Sequence, residues 1–128
     1  MKRKISVPVL LVSLTGLFAS TAAMAGLQTG KPVVINDSGM VANGELGYVR
    51  NTPDRTQYIG CTSSSNNVAN CFAVDINGIS RTCVTTNPSF LATIRSLNGD
   101  SYLVFYWSPT TGQCTSVEAV NDSTTTPK

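Results

Sequence analysis

The sequence predicts an α+β domain that is mostly β: an antiparallel sheet of about five strands, with one short helix between strands three and four, and two disulfides. Three observations lead to this fold class. Short apolar runs separated by turn-forming residues are typical of strands. The stretch after Asn87-Pro88 has helical spacing instead. Four cysteines follow a segment with the features of a secretory signal, and an even number in that setting predicts disulfides.

The first 25 residues have the three regions of a secretory signal peptide. Residues 2–4 are all basic, residues 5–20 are almost wholly apolar or small, and Ala23-Met24-Ala25 is the small-x-small pattern that signal peptidase cleaves. The apolar run is shorter than the roughly 20 residues of a spanning helix. We therefore predict a bacterial protein that is cleaved after Ala25, is periplasmic or secreted, and keeps no transmembrane segment.

Cleavage changes the charge balance. The full chain carries nine Lys and Arg against seven Asp and Glu, a net charge of +2. Three of the basic residues leave with the signal, so the mature chain has six basic residues against seven acidic ones. These six are scattered along the chain, whereas a nucleic-acid binder clusters its basic residues on one face. We therefore predict that nucleic acid is not a partner.

The mature chain of 103 residues has the length of one domain and divides by composition into three parts. Residues 26–46 are weakly patterned and predict a loosely ordered N-terminal arm, in which residues 31–35 are a candidate edge strand. Residues 47–120 hold the strand and helix patterns and all four cysteines. Residues 121–128 are rich in Ser and Thr and predict a flexible tail. A domain of this size buries a limited core and gains from covalent cross-links.

Three strands are expected in the first half of the domain, at residues 57–63, 68–76 and 79–85. The polar segment 62–67 is typical of a hairpin loop between the first two. Asn77-Gly78 is a stronger signal, because both residues tolerate positive φ and apolar residues flank them. It predicts a two-residue turn between the second and third strands.

A short helix is predicted next. Asn87 is a favourable N-cap, and Pro88 suits the first helical position, where its missing N–H is not needed. One helical face then carries an apolar row: Phe90, Leu91, Ile94 and Leu97. Asn98-Gly99 supplies the stop signal. The length allows about two turns.

The last two strands are expected at residues 101–107 and 113–120, joined across 108–112. The first of them is apolar on both faces, which is typical of a central strand that is covered twice. We expect the helix to cover one face and the N-terminal arm part of the other.

The predicted register favours one disulfide pairing. A two-residue turn at residues 77–78 sets Phe72 opposite Cys83 and directs Cys71 to the other face of the sheet, which argues against a Cys71–Cys83 bridge. A loop centred on Asn66 sets Cys61 opposite Cys71. The predicted bridges are Cys61–Cys71 and Cys83–Cys114, with Cys61–Cys83 and Cys71–Cys114 as the alternative.

The sequence offers little catalytic chemistry. Histidine is absent, which excludes Ser-His-Asp and Cys-His nucleophiles and removes the commonest metal ligand. Most acids stand beside turns, where Asp is favoured for backbone reasons, and Glu118 alone is not the carboxylate pair that glycoside hydrolysis needs. Nine, eleven and thirty residues lie between successive cysteines, unlike the close pairs of zinc or redox sites. We therefore predict no catalytic residue, no metal site and no cofactor, and a protein that is not an enzyme.

One polar cluster is a candidate ligand-binding site. Its members lie around a predicted turn: Tyr48, Arg50, Asp54, Arg55 and Tyr58. An Arg guanidinium is a planar donor for a carboxylate, and a Tyr ring offers an apolar surface to a ligand such as a sugar. The alternative is a purely structural turn, held by an Arg–Asp contact with both tyrosines packed inward.

Several short motifs resemble those of small exported bacterial proteins of unknown function. The similarity covers roughly residues 47–120 and rests on residues 47–52 (GYVRNT), 57–61 (QYIGC), 71–73 (CFA) and 99–102 (GDSY). That group has no assigned activity, so the resemblance implies only an exported, disulfide-bonded, single-domain protein.

Three functional hypotheses follow. The first is a non-enzymatic binding or interaction module of the cell envelope or secretome, with an envelope protein or a glycan as partner. The second is a structural or stress-resistance envelope protein, whose selected property is stability. The third is a histidine-free hydrolase that uses Glu118 and a second acid.

Overall fold

The computed structural model describes residues 30–125, so the predicted signal peptide at residues 1–25 lies outside the described residues. The elements in chain order are β1 (Val34–Asn36), β2 (Val41–Glu45), α1 (Leu46–Asn51), β3 (Tyr58–Ser63), β4 (Ala69–Val74), β5 (Ser80–Thr85), α2 (Pro88–Arg95), β6 (Tyr102–Trp107) and β7 (Cys114–Val120). Within residues 30–125 no helix has the length and apolarity needed to cross a membrane.

The strands form two antiparallel sheets. One has the order β1-β2-β6-β7 and the other has the order β3-β4-β5. The mostly-β, antiparallel prediction is confirmed, whereas the prediction of one sheet with about five strands is wrong. The physical reason is that β6 pairs with β2, from Val41↔Tyr106 to Glu45↔Tyr102, and this pairing separates it from β5.

The two strands missing from the predicted count, β1 and β2, lie within residues 26–46, the segment predicted to be a loosely ordered arm. The inward positions of β2 are Ala42 and Gly44, residues too small to give an apolar alternation. Their size has a packing role. A Cβ on Gly44 would lie 3.2 Å from Cγ2 of Ile59 in the other sheet, so the two sheets approach closely here. The short helix α1 was also not predicted.

The core lies between the two sheets. Leu103 and Phe105 on β6 are fully buried and belong to one buried cluster with Cys71 and Ala73 on β4. Leu91 and Ile94 of α2 belong to the same cluster. The prediction that residues 101–107 form a central strand is confirmed, because β6 has a strand on each side.

Both hairpins of the three-stranded sheet have three-residue loops that end in a left-handed residue. Asn67 (φ 59°) ends the β3–β4 loop and Gly78 (φ 80°) ends the β4–β5 loop. A type I turn followed by one left-handed residue is a common three-residue hairpin connection. The loop centred on Asn66 therefore forms as predicted and sets Cys61 opposite Cys71.

The predicted two-residue turn at Asn77-Gly78 is wrong by one residue. The carboxylate of Asp75 accepts hydrogen bonds from the backbone N–H groups of Asn77 (2.9 Å) and Ile79 (3.0 Å), which stabilises the longer loop. The register shifts accordingly: Phe72 pairs with Thr82 and Cys71 pairs with Cys83. Cys71 and Cys83 therefore share a face, contrary to the expectation from the two-residue turn.

The predicted disulfide pairing is nevertheless the observed one. Cys61 is bonded to Cys71, and Cys83 is bonded to Cys114. The first bridge joins directly opposed residues of β3 and β4, and the second joins β5 of one sheet to β7 of the other. The two sheets are thus connected covalently as well as through the core.

Helix α2 begins as predicted and ends earlier than predicted. The side chain of Asn87 accepts hydrogen bonds from the backbone N–H of Ser89 (2.8 Å) and of Phe90 (3.4 Å). The helix ends at Arg95, before Asn98-Gly99. The segment after it is fixed by Asn121, the first residue of the predicted tail, whose side chain accepts hydrogen bonds from the buried Ser101 hydroxyl and from Asn98.

Candidate functional site

The five residues predicted as a ligand-binding cluster lie on three consecutive elements. Tyr48 and Arg50 belong to α1, Asp54 and Arg55 to the turn that follows, and Tyr58 begins β3. Tyr48 is half-buried, whereas Arg50, Arg55 and Tyr58 are exposed. The structure does not gather these five side chains around one ligand position, and each has its own surroundings.

Asp54 organises its own turn. Its carboxylate accepts hydrogen bonds from the backbone N–H of Thr56 (2.9 Å), from the backbone N–H of Gln57 (2.8 Å) and from the Gln57 side-chain amide (2.8 Å). The Gln57 amide oxygen in turn accepts from the backbone N–H of Val33 (2.9 Å). The bonds from Gln57 and Thr56 favour the ionised form and hold the pKa of Asp54 well below its usual range. Asp54 therefore acts as a turn-capping residue in this structure.

The Asp54→Asn variant is expected to lose stability at neutral pH and to approach wild type in acid. Because the folded-state pKa of Asp54 is lowered, its stabilising contribution is present above the unfolded-state pKa of about 4 and is lost as the pH falls toward the folded-state pKa. Urea denaturation of both proteins across the acid range checks this. A difference between them that stays constant with pH would contradict it.

Arg50 connects α1 to the segment that precedes β6. Its guanidinium donates to the backbone carbonyl of Gly99 (3.1 Å) and lies 3.5 Å from a carboxylate oxygen of Asp100. An Arg–Asp contact was one predicted role for this region, and the acid involved is Asp100. The Arg50 side chain remains half exposed, so the ion pair contributes little stability.

A cleft of about 380 Å³ lies between β3 and the connection from α2 to β6. Residues 58–62 of β3 line one side, and Asn98 and Gly99 line the other. Leu46, Ile94 and Leu97 contribute apolar lining. The cleft therefore combines a strand edge, an apolar surface and the loop at Gly99. The backbone carbonyl of Gly99 accepts the hydrogen bond from Arg50.

A stacked aromatic pair, Tyr58 and the half-buried Phe72, forms part of the lining. The rings of Tyr58 and Phe72 are stacked, with centroids 4.8 Å apart and planes within 6° of parallel. Tyr58 remains 53% exposed. Gly60 lies opposite Phe72 in the register, and a Cβ at that position would be in ordinary van der Waals contact with the Phe72 ring, at 3.8 Å. Tyr58 is thus the predicted site residue that lines the cleft.

Sequence reasoning assigned the other cleft residues to structural roles. Ile94 and Leu97 were predicted as core residues of the helix, and Asn98-Gly99 as its stop signal. One signal in the sequence could have indicated the aromatic pair. In the β3–β4 register Phe72 lies opposite Gly60, two residues from Tyr58, which brings the two rings close together. The contribution of Leu46 depends on α1, which the sequence did not reveal.

The cysteines form a compact sulfur cluster. The Sγ atoms of Cys71, Cys83 and Cys114 lie within 4.8 Å of one another. All four cysteines are disulfide-bonded, and a disulfide sulfur is not the thiolate that a metal binds. In the oxidised protein the cluster is therefore a structural cross-link.

Glu118, the acid considered for hydrolysis, lies on the outer face of the four-stranded sheet. It is exposed and opposes Val104, with Tyr102 and Tyr106 on the same face of β6. The Lys31 ammonium lies over the Tyr102 ring, 4.2 Å from its centroid. Burial, with smaller effects of Tyr106 and Glu118, raises the pKa of Tyr102 above its usual value. This face is separate from the cleft beside β3.

Comparison of the chain with protein-family models, with curated proteins and with solved structures gives no match.

Proposed function

We propose that the protein is an exported, non-enzymatic binding module of the cell envelope or secretome, and that its ligand site is the cleft beside β3. The observation that carries this proposal is the combination of apolar lining with a stacked aromatic pair, one member of which is exposed, in one concave site. Ligand sites are concave, mostly apolar and supplied with a few polar groups. The exposed Tyr58 is the residue expected to contribute most, because aromatic residues dominate recognition energetics.

The disulfides support the exported location. Both bridges join cysteines of the same domain, and they leave no free cysteine. Such bridges persist in oxidising compartments, including the bacterial periplasm and the extracellular space. Together with the signal-peptide pattern at residues 1–25, they favour a periplasmic or secreted bacterial protein.

The proposed partner is an envelope protein or a glycan. Arg50 lies at the border of the cleft through its hydrogen bond to Gly99, and it keeps donor capacity because its side chain is half exposed. A planar guanidinium next to an aromatic surface suits a ligand that carries both a polar acceptor and an apolar face.

A structural or stress-resistance role is the second candidate, and the cross-link between the two sheets favours it. Cys83–Cys114 and the buried core stabilise the fold without any ligand. This alternative predicts that substitutions in the cleft change neither binding nor fitness.

The test compares Tyr58→Ala with Tyr106→Ala, a tyrosine on the far face of the other sheet. The mature protein is screened against a glycan array and a displayed library of random short peptides. We expect at least one specific ligand, with affinity lowered about tenfold or more by Tyr58→Ala, since a hot-spot aromatic contributes ~2 kcal/mol. Tyr106→Ala should leave the affinity unchanged. No ligand in either panel, or equal losses in the two variants, would refute a binding site in the cleft.

A further inference from the structure

We propose that the open edge of β3 binds an extended segment of another polypeptide, which adds to the three-stranded sheet as a fourth strand. This inference rests on the proposed binding function and names the class of partner. Its basis is the hydrogen-bonding capacity of β3 on the side that faces the cleft.

The register shows which backbone groups of β3 face outward. The N–H of Ser64 donates to the carbonyl of Val68 (2.9 Å), which makes these two residues a hydrogen-bonded pair at the end of the β3–β4 hairpin. In an antiparallel ladder such pairs alternate with pairs whose backbone groups point away from each other. Gly60 and Thr62 therefore bond to β4. The residues whose N–H and C=O groups point away from β4 are Ile59, Cys61 and Ser63.

The other side of β4 supports this assignment. The N–H of Asp75 donates to the carbonyl of Ile79 (3.0 Å), so that Cys71 and Ala73 fall in the pairs that bond to β5. β3 has β4 as its one neighbour in the sheet. Among residues 30–125, no hydrogen bond reaches the outward backbone groups of β3.

Helices α1 and α2 contact β3, but within residues 30–125 no backbone hydrogen bond occupies its outer edge, and the other edge strands differ from it. The N–H of Val84 on β5 donates to the carbonyl of Gly112 (3.0 Å), and Val84 also bridges to Gln113. β1 has three residues, and β7 has an irregular register at its start. β3 has six residues with no proline and no charge. Natural sheets usually protect an edge of this kind, because it is a template for another strand.

The cleft lies along this edge of β3. An added strand lies about 4.8 Å from its neighbour, and the volume of about 380 Å³ is within the range of ligand sites. The apolar lining from Leu46, Ile94 and Leu97 predicts a segment whose alternate side chains are apolar. Asn98 and Gly99 form the opposite wall, and a second copy of this domain would bring its own α1 and α2 against that wall. A lone extended segment therefore fits better than a second β3.

Amide hydrogen exchange tests the proposal directly. Peptides are selected on the wild-type protein from a displayed library of random short sequences, and exchange of the labelled protein is followed by NMR with and without a selected peptide. We expect the peptide to slow exchange at Ile59, Cys61 and Ser63 about tenfold or more, because these amides gain hydrogen bonds. Two copies of the peptide, N-methylated at alternate residues in the two possible registers, should differ: the copy that loses the N–H groups facing β3 should not bind, and the other copy should bind. Protection located elsewhere, or equal binding by the methylated copies, would overturn the proposal.

A matched pair of variants tests the backbone contribution. Ser63→Pro removes one outward N–H without removing a bond to β4, whereas Ser63→Ala keeps that N–H. We expect Ser63→Pro to weaken peptide binding about tenfold, the loss of roughly one hydrogen bond and of close approach to the edge, while Ser63→Ala binds as wild type. Thermal unfolding of both variants verifies that the sheet remains folded. Unchanged affinity in a folded Ser63→Pro protein would count against strand addition.

The outcomes separate this inference from the proposed function. A glycan that binds at Tyr58 with no selected peptide would overturn strand addition and leave the binding function standing. No ligand of either class would overturn both. Protection of the three outward amides that rises with protein concentration, without peptide, would identify a second copy as the occupant and would also overturn the proposal.

Discussion

Replacing Cys83 and Cys114 together by alanine is expected to lower the free energy of unfolding by about 3–4 kcal/mol. The bridge joins residues 31 apart in sequence and connects the two sheets. In the chain-entropy account, a loop of that length restricts the unfolded ensemble by about this amount. For a domain of this size the loss corresponds to a fall in Tm of about 15 °C, measured by thermal denaturation under non-reducing conditions.

The Cys61→Ala/Cys71→Ala double variant is the matched control. Its bridge closes a separation of ten residues within one hairpin, where β3 and β4 already pair along their length. The same account gives a loss of about 2–3 kcal/mol. A larger loss for this hairpin bridge than for the bridge between sheets would contradict the structural role assigned to Cys83–Cys114.

Local signals in the sequence were reliable where the structure depends on neighbouring residues. Asn87 caps α2 through its own side chain, and Pro88 takes the first helical position. The loop centred on Asn66 forms because Asn67 adopts a left-handed conformation, which asparagine tolerates. In each case the residues that determine the conformation lie within a few positions of it.

The Asn77-Gly78 turn shows how a local signal can mislead. The dipeptide predicted a two-residue turn with positive φ at both positions, yet among the described residues Gly78 is left-handed and Asn77 is not. The side chain of Asp75 bonds the loop backbone and selects a three-residue loop. One residue of difference reversed the face assigned to Cys71, since side chains alternate along a strand. The disulfide prediction was still correct, because the Cys61–Cys71 pairing depends on the β3–β4 hairpin, whose loop was predicted correctly.

The sequence did not predict the features that depend on contacts between distant residues. β2 is ordered because it pairs with β6, about sixty residues later, and the small size of Ala42 and Gly44 matters only because of the facing sheet. The cleft likewise combines Leu46, residues of β3 and the segment after α2. Tyr58 is the predicted ligand-binding residue that lines the cleft, and the sequence predicted its strand at nearly the correct position.

Phe105→Ala is expected to lower the free energy of unfolding by about 3–5 kcal/mol, the usual range for deleting a fully buried Phe. Phe105 is completely buried in the core between the sheets, and its ring lies against Trp107 with centroids 6.2 Å apart. The loss has two parts: the transfer free energy of the ring and the cavity that the surrounding core cannot fill. Chemical denaturation, with tryptophan fluorescence as the signal, measures it, because Trp107 reports on the same region.

Tyr106→Ala provides the control on the adjacent position of the same strand. Tyr106 points to the outer face of the four-stranded sheet and is half-buried, so we expect a loss of about 1 kcal/mol, typical of a partly exposed site. Both substitutions remove an aromatic ring from β6, and they differ in which face of the strand loses it. Equal losses would mean that both faces of β6 are covered to the same extent, as the sequence alone suggested. A loss several times larger at Phe105 would mean that the facing sheet and α2 cover one side, and that the N-terminal segment around Lys31 covers only part of the other.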